Sequence, residues 1–172
     1  MGRGERLLVS GGAGFVLCNC VHRWLSAHPT HSAVILDLRR VWDAPVQAFL
    51  AEFTAAGRLH FFEGDVTRAE DWRRLSETHG TAFTHVVSGA ALTPTRADEE
   101  RRPKDVMAVN TFGTIEALEW ARSLLGLRRF IYVSSNGIYG PPGLARDPCT
   151  PPPPPHRHTP PPVAHCPPWH TP

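Results

Sequence analysis

The sequence has no long hydrophobic run, little net charge and few cysteines. No apolar run approaches the roughly 20 residues that a membrane-spanning helix needs, so we expect none. A formal charge of +2, with no Lys/Arg run longer than two residues, argues against a nucleic acid partner. The opening MGRGERLLVSGG has too short an apolar core for a secretory signal. Without that signal, the four cysteines predict reduced thiols and a cytoplasmic protein.

The cysteines and histidines do not match the spacing of a metal site. Cys18 and Cys20 fall in a predicted helix, where a separation of two residues places them on different faces. The histidines near the carboxyl terminus, together with Cys166, match no zinc pattern and lie in a stretch without a rigid frame. We therefore expect no metal.

Proline is scarce before position 141 and abundant after it. Four of the 18 prolines precede that position, and the remaining fourteen lie at or after it. A run such as Pro151–Pro155 predicts solvated polyproline II structure, because proline has no amide donor and a fixed φ. The composition predicts a folded domain at residues 1–140 and a disordered, proline-rich tail at residues 141–172.

Short apolar runs alternate with helical stretches in the first 140 residues. The predicted strands are almost continuously apolar, as in a parallel sheet that is buried on both faces. They are Arg6–Ser10, Ala33–Asp37, Leu59–Asp65, His85–Ala90 and Arg129–Ser135. The predicted helices lie at about Phe15–Ala27, Pro45–Ala56, Ala69–His79 and Pro103–Leu125. This alternation predicts an α/β fold with a doubly wound, Rossmann-like parallel sheet of about five strands.

A glycine cluster, SGGAGF at Ser10–Phe15, follows the first predicted strand and opens the first predicted helix. Glycines at this place permit a tight turn and let the backbone approach a pyrophosphate. The helix start adds unpaired N–H groups and a partial positive charge. Glycine turns also occur for steric reasons alone, but the strand before this one and the helix after it favour a phosphate site.

Asp37 ends the second predicted strand, 26 residues after Gly11. A carboxylate there would accept hydrogen bonds from the adenosine ribose hydroxyls and would repel a 2′-phosphate, which favours NAD. Arg39 and Arg40 follow closely and keep NADP as the less favoured alternative. The other interpretation is that Asp37 only caps the strand end. EGDVT at Glu63–Thr67 closes the third strand, where an acid and an apolar neighbour would flank the adenine.

Six segments between about Arg6 and Gly140 have an order and spacing typical of one protein family. They are SGGAGFV, LD at Leu36–Asp37, GDVT, VVSGAAL, VNTFGTIEALEWA and YVSSNGIYG. Together they resemble the extended short-chain dehydrogenases/reductases, the NAD-dependent epimerase/dehydratase family. The resemblance implies a Rossmann domain that binds NAD(P). It also implies a smaller carboxyl-terminal domain that holds the substrate, often a nucleotide sugar.

The resemblance further implies roles for single residues. The residues along the pyrophosphate would be Gly11, Gly14, Phe15 and Val16. Asp37 would bind the ribose, while Asp65 and Val66 would contact the adenine. The nicotinamide half would lie against Gly89, Ala90 and Ala91. Asn110 would hold the loop after the fourth strand, and Ser135 would hydrogen-bond the reacting hydroxyl or carbonyl group of the substrate.

Two places depart from the family pattern. Leu17 stands where the motif usually has its third glycine, and a bulky residue there costs roughly 1–3 kcal/mol in overpacking unless the helix shifts outward. Such a shift would carry the N–H groups away from the phosphates. Ser88 and Gly89 replace bulkier residues, so we expect a looser nicotinamide edge.

The base that the family uses is not present in the 172 residues. The resemblance implies a tyrosine followed four residues later by a lysine, which lowers the pKa of the tyrosine so that it takes a proton. Neither Tyr132 nor Tyr139 has a lysine four positions later, and the single lysine, Lys104, precedes both. We therefore expect a truncated, catalytically incomplete chain that also lacks half of the family's dimer interface.

The predicted function follows from these points. The chain would be the NAD(P)-binding part of an epimerase, dehydratase or dehydrogenase that acts on a sugar or nucleotide-sugar-like substrate. The alternative is a stand-alone dinucleotide-binding module whose proline-rich tail engages a protein partner. NAD is the expected cofactor in both cases.

Overall fold

The described residues form five strands and the helices between them. The computed structural model describes residues 4–38, 44–93 and 95–135. The strands are β1 (Arg6–Ser10), β2 (Ser32–Asp37), β3 (Leu59–Glu63), β4 (His85–Ser88) and β5 (Arg129–Tyr132). The helices are α1 (Phe15–Ala27), α2 (Ala44–Ala55), α3 (Ala69–His79), α4 (Arg96–Arg101), α5 (Pro103–Met107) and α6 (Gly113–Arg122), with a π-helical turn at Ala108–Phe112.

All of these elements belong to one compact unit that ends at Ser134, and a second unit begins at Ser135. Ser135 is the only residue of the second unit that the structure describes. The predicted proline-rich tail, the domain boundary at residue 140 and the residues Arg39, Arg40 and Tyr139 all lie outside the described ranges.

The five strands form one sheet in the order β3-β2-β1-β4-β5. Every neighbouring pair is parallel, so the predicted doubly wound, Rossmann-like sheet is confirmed. β1 lies in the middle, with β2 on one side and β4 on the other. Because the chain changes direction across the sheet at β1, the connections on the two sides of β1 lead to opposite faces of the sheet and leave a crevice at the carboxyl edge.

Both faces of the sheet are covered, which explains the continuous apolar runs. On one face, Leu7 and Val9 of β1 pack with α1 and α2. On the other face, Leu8 packs with Trp72 of α3 and Trp120 of α6. Adjacent residues of a strand point to opposite faces, so a strand buried on both sides has no polar alternation.

Three strands end earlier than predicted. β3 ends at Glu63 rather than Asp65, β4 at Ser88 rather than Ala90, and β5 at Tyr132 rather than Ser135. Directly after β3, Gly64 N–H still donates to Asp37 O at 3.0 Å, but the next N–H, that of Asp65, donates to Asp71 Oδ2 at 2.8 Å. Directly after β4, Gly89 N–H donates both to Ser10 O and to Ser10 Oγ, at 3.2 Å each. The side-chain hydrogen bonds of Asp65 and Gly89 thus begin where the regular pairing of β3 and β4 ends.

The predicted helix at about Pro103–Leu125 is helical from Pro103 to Arg122 but contains a π-helical turn, and α4 was not predicted. The chain forms α5, a π-helical turn and α6, which ends at Arg122. The turn closes through a hydrogen bond from Gly113 N–H to Ala108 O, which adds one residue to the helical turn. Asn110 lies within this turn and hydrogen-bonds to Leu92 across the fold. The helical periodicity of the sequence does not indicate a partner from another part of the fold.

Two structural findings concern the described residues as a whole. None of their helices is long and apolar enough to cross a membrane. Their histidine, cysteine and acidic side chains form no group of three or more that could hold a metal ion.

A buried histidine lies just before β2, at the amino-terminal edge of the sheet. The side chain of His31 contacts the rings of Trp24 and His28, with centroids 4.6 Å and 4.2 Å away. His31 is only 9% exposed, and no described group hydrogen-bonds its Nδ1. Burial lowers the pKa of His31, and the nearby charge of His28 lowers it further.

The remaining charges around His31 act in both directions on the same pKa. Glu5 raises it, whereas His85 and Arg58 lower it, and the net shift is downward. The folded protein therefore resists protonation of this imidazole more strongly than the unfolded chain does.

We expect the free energy of unfolding to fall as the pH drops through the ordinary histidine pKa of 6.5, because the unfolded chain then binds a proton that the folded chain excludes. His31→Leu should reduce this loss between about pH 8 and about pH 5.5, measured as urea midpoints by circular dichroism. It should not abolish the loss, because burial also lowers the pKa of His79. His22→Leu is the control, because His22 is not among the groups that shift the pKa of His31 or of His79. An unchanged pH dependence in His31→Leu would contradict the prediction.

Candidate functional site

The chain after β1 makes a tight turn whose shape depends on glycine. Gly11 has a φ of 73°, and its N–H donates to Leu36 O at 2.9 Å. The turn closes through a 3.1 Å hydrogen bond from Gly14 N–H to Gly11 O. A Cβ on Gly11 would lie 2.7 Å from Ala90 Cα, so a larger residue would force the turn away from the loop after β4.

Helix α1 starts directly behind this turn with an uncompensated amino terminus. Its cap residue, Gly14, provides no side-chain hydrogen bond, and its first turn contains no acid. The first N–H groups of a helix have no partner inside the helix and carry a partial positive charge. Phe15 and Val16, at this start, are exposed. The arrangement is suited to an anion.

Asp37, at the end of β2, is tied to the glycine turn. Its Oδ2 accepts a 3.0 Å hydrogen bond from Ala13 N–H, and the side chain is half-buried. A carboxylate has about four acceptor positions, and among the described residues only this bond occupies one, which leaves capacity for a ligand. The local role and the ribose role considered for Asp37 are therefore compatible.

The turn after β3 is held by an acid of the following helix. Asp65 N–H donates to Asp71 Oδ2 at 2.8 Å, and Asp71 is only 6% exposed. The carboxylate of Asp65 in turn accepts hydrogen bonds from Thr67 N–H and Oγ1–H at 2.9 Å and 2.8 Å. Trp72 Nε1–H donates to Val66 O at 2.9 Å. The positions of Asp65 and Val66 thus depend on two side chains of α3.

The loop after β4 is held from two sides. Ser10 Oγ accepts hydrogen bonds from Gly89 N–H at 3.2 Å and from Ala90 N–H at 3.5 Å. Asn110 accepts from Leu92 N–H at 2.8 Å and donates to Leu92 O at 2.9 Å, which pairs its amide with both polar groups of that residue. The loop is consequently anchored to β1 and to the π-helical turn.

These turns and loops surround one cleft of about 670 Å³ at the carboxyl edge of the sheet. Most of the residues predicted for the site line it. They are Gly11, Gly14, Phe15, Val16, Asp37, Asp65, Val66, Gly89, Ala90 and Ala91. Among the described lining residues, Asp37 and Asp65 are the only charged ones.

The two other predicted site residues do not line the cleft. Asn110 supports the loop after β4 through Leu92, as described above. Ser135 is exposed and lies three residues after the end of β5 in the chain.

Sequence reasoning missed two residues that hold the site together, Ser10 and Asp71. Ser10 had a signal, because it ends β1 next to the glycine turn. Asp71 had none that points to the site. It lies in the first turn of α3 beside Glu70, where acids are common because they oppose the helix dipole. Only packing shows that Asp71 is buried and Glu70 is not.

The strand order, the glycine turn after β1 and the acid after β2 define the Rossmann-like class of α/β proteins. The sequence model of the NAD dependent epimerase/dehydratase family matches residues 7–160. The chain belongs to this family.

The relatives that this chain resembles in sequence have different activities. A dTDP-glucose 4,6-dehydratase from Mycobacterium tuberculosis is 31% identical over 140 residues, which cover 78% of this chain and 38% of the dehydratase. A 3 beta-hydroxysteroid dehydrogenase/Delta 5-->4-isomerase from the same species is 32% identical over 138 residues, covering 77% of this chain and 32% of the relative.

A solved structure with bound cofactor has the same fold. The UDP-glucose-4-epimerase of Stenotrophomonas maltophila, with bound NAD and formylated UDP-arabinopyranose, superposes with a TM-score of 0.61 at 26% identity. The match covers 79% of this chain and 38% of the epimerase. This chain therefore spans well under half the length of the proteins it matches.

We expect Asp71→Ala to lower the free energy of unfolding by about 1–3 kcal/mol, because it leaves the Asp65 N–H unpaired and deprives Arg74 of its partner. Urea titration followed by circular dichroism measures the change. The matched control is Glu70→Ala, which removes an exposed acid one position away that pairs only with Arg73 among the described residues. Equal effects of the two substitutions would show that Asp71 does not hold the turn.

Proposed function

We propose that this chain binds NAD in the cleft, as the cofactor-binding part of an epimerase, dehydratase or dehydrogenase. In this proposal residues 1–140 form the binding domain and residues 141–172 a proline-rich tail. The observation that carries it is the carboxylate of Asp37, which lines the cleft beside the glycine turn and retains acceptor capacity. Hydroxyl groups of a ribose would satisfy that capacity.

The polar groups of the cleft would bind the pyrophosphate of a dinucleotide at the start of α1. The described lining residues include no lysine or arginine, so an anion would depend on the start of α1. The pyrophosphate would lie there, against Gly11, Gly14, Phe15 and Val16. A side chain on Gly14 would meet only Gly11 O, at 3.3 Å, so the turn is open on the cleft side.

Each end of the cleft would hold one half of the cofactor. Asp65 and Val66 would contact the adenine beyond Asp37. Gly89, Ala90 and Ala91 would border the nicotinamide half on the other side of β1. The negative charge of Asp37 would disfavour the 2′-phosphate of NADP. When bound, NAD would supply hydride transfer.

We propose that the chain performs the binding step but not the reaction. Its 172 residues contain no tyrosine followed four positions later by a lysine. Tyr132 lies on β5 and Lys104 on α5, so the two do not form the pair on one helix that proton abstraction in this family requires. Ser135 would contact the substrate, but it cannot take up the proton itself at neutral pH.

The substrate class is a sugar or a nucleotide sugar. It is supported by the named substrates of relatives, dTDP-glucose and UDP-glucose. The alternative function, a stand-alone module with a partner-binding tail, has no observation in its favour among the described residues.

We expect calorimetric titration to show binding of NAD, with NADP at least tenfold weaker. Asp37→Asn should weaken the binding of NAD and narrow the difference in affinity between NAD and NADP. The amide oxygen of Asn still accepts from Ala13 N–H, but the neutral side chain no longer repels a phosphate. The matched control is Glu63→Gln, which neutralises an exposed acid that pairs in register with Asp37 on β3. A folded chain that does not bind NAD would refute the proposal, and so would an unchanged NAD/NADP ratio in Asp37→Asn.

We expect no conversion of dTDP-glucose or UDP-glucose when the chain is saturated with NAD, because no base accepts the substrate proton. Product analysis by chromatography and absorbance of the reduced cofactor provide the measurement. Turnover above that of NAD in buffer would overturn the claim of inactivity and leave the binding proposal intact.

A further inference from the structure

Leu17, in the first turn of α1, lies in the wall of the cleft beside the loop after β4. It is 7% exposed and belongs to the apolar cluster of that face of the sheet. It also stands at the position where the glycine motif usually has its third glycine. Its side chain therefore occupies volume that the motif normally leaves for close contact between helix and strand.

Gly89, the first residue after β4, provides the space for that side chain. A Cβ on Gly89 would lie 2.4 Å from Leu17 Cδ1 and 3.1 Å from Val133 Cγ2. A carbon at 2.4 Å overlaps Leu17 Cδ1, so a side chain at position 89 fits only if the Leu17 side chain or the loop moves. The space beside Gly89 is thus filled by Leu17 and not left open.

Gly89 cannot move away easily, because the loop is held on its other side. Its N–H donates to Ser10 O and to Ser10 Oγ, both at 3.2 Å. The next residue, Ala90, lies against Gly11, where an added Cβ would be 2.7 Å from Ala90 Cα. The loop is therefore enclosed between Leu17 and the glycine turn.

We propose that Leu17 and Gly89 are a size-matched pair that sets the position of the Gly89–Ala91 loop, and with it the place of the nicotinamide half of the cofactor. Leu17 is a positioning residue in this proposal, and it acts through the loop. The inference rests on the proposed function, because it assigns the Gly89–Ala91 side of the cleft to that half. It concerns two residues that, taken separately, both depart from the family pattern.

The strand order makes the effect specific to one half of the cofactor. Asp37 follows β2 and Asp65 follows β3, whereas Gly89 follows β4 on the other side of β1. Neighbouring strands are about 4.8 Å apart, so β3 and β4 are separated by roughly 14 Å. A displaced Gly89–Ala91 loop would consequently affect the nicotinamide half directly, and the adenosine half only through the glycine turn that Ala90 lies against.

The test compares NAD with ADP, which carries the adenosine and the pyrophosphate but does not extend to the Gly89–Ala91 loop. In calorimetric titration, we expect Gly89→Ala to weaken the binding of NAD at least tenfold and the binding of ADP less than twofold. Adding Leu17→Ala should relieve the overlap and restore NAD binding to within about threefold of the unsubstituted chain. Gly126→Ala is the control, because its Cβ would meet nothing closer than Phe83 O at 3.9 Å.

The remaining outcomes separate this inference from the proposed function. If Gly89→Ala does not fold, recovery of folding and of NAD binding in the double variant supports the pair. Equal weakening of NAD binding and ADP binding would overturn the inference. So would a double variant that binds NAD no more tightly than Gly89→Ala, or a Gly89→Ala variant that binds NAD as tightly as the unsubstituted chain. An unsubstituted chain that binds neither nucleotide would instead refute the proposed function.

Discussion

The close contact between the glycine turn after β1 and the loop after β4 is the constraint on which the rest of the cleft depends. Gly11 and Ala90 approach so closely that no Cβ fits on Gly11, and Ser10 Oγ accepts hydrogen bonds from the same loop. Since the sheet reverses its order at β1, this contact lies at the point where both halves of the fold direct their loops to one edge. Apolar packing beneath it, on both faces of β1, keeps the strands in register.

Around that contact, carboxylates and an amide bind backbone groups that would otherwise lack partners. Asp37 accepts from Ala13 N–H, Asp71 from Asp65 N–H, and Asn110 pairs with Leu92. Each bond joins a loop to a different element, so the loops of the cleft are ordered by the fold itself. Preordered loops lower the entropic cost of binding a ligand, because less chain must be immobilised at that moment.

The sequence predicted the sheet well because its signals are local. Apolar runs such as RLLVS and AVILD mark buried strands, and the glycine cluster marks the turn. The strand ends and the helix after Pro103 were predicted less well. Where β3 and β4 end, Asp65 N–H donates to Asp71 Oδ2 and Gly89 N–H is shared between Ser10 O and Ser10 Oγ. The π-helical turn carries Asn110 to Leu92, in the loop after β4. Periodicity reports neighbours along the chain and has no information about such partners.

By itself the sequence determined the strand–helix alternation, the family segments and the absence of a tyrosine–lysine pair, because these are properties of residue order and composition. The tertiary structure alone decided which acids are buried and which apolar residues meet. Asp71 and Glu70 are adjacent in α3, yet only Asp71 contacts the turn after β3. Leu17 and Gly89 look like two separate departures from a motif until the fold places them side by side. Whether two volumes are complementary depends on the distance between their atoms, and only the packed chain sets that distance.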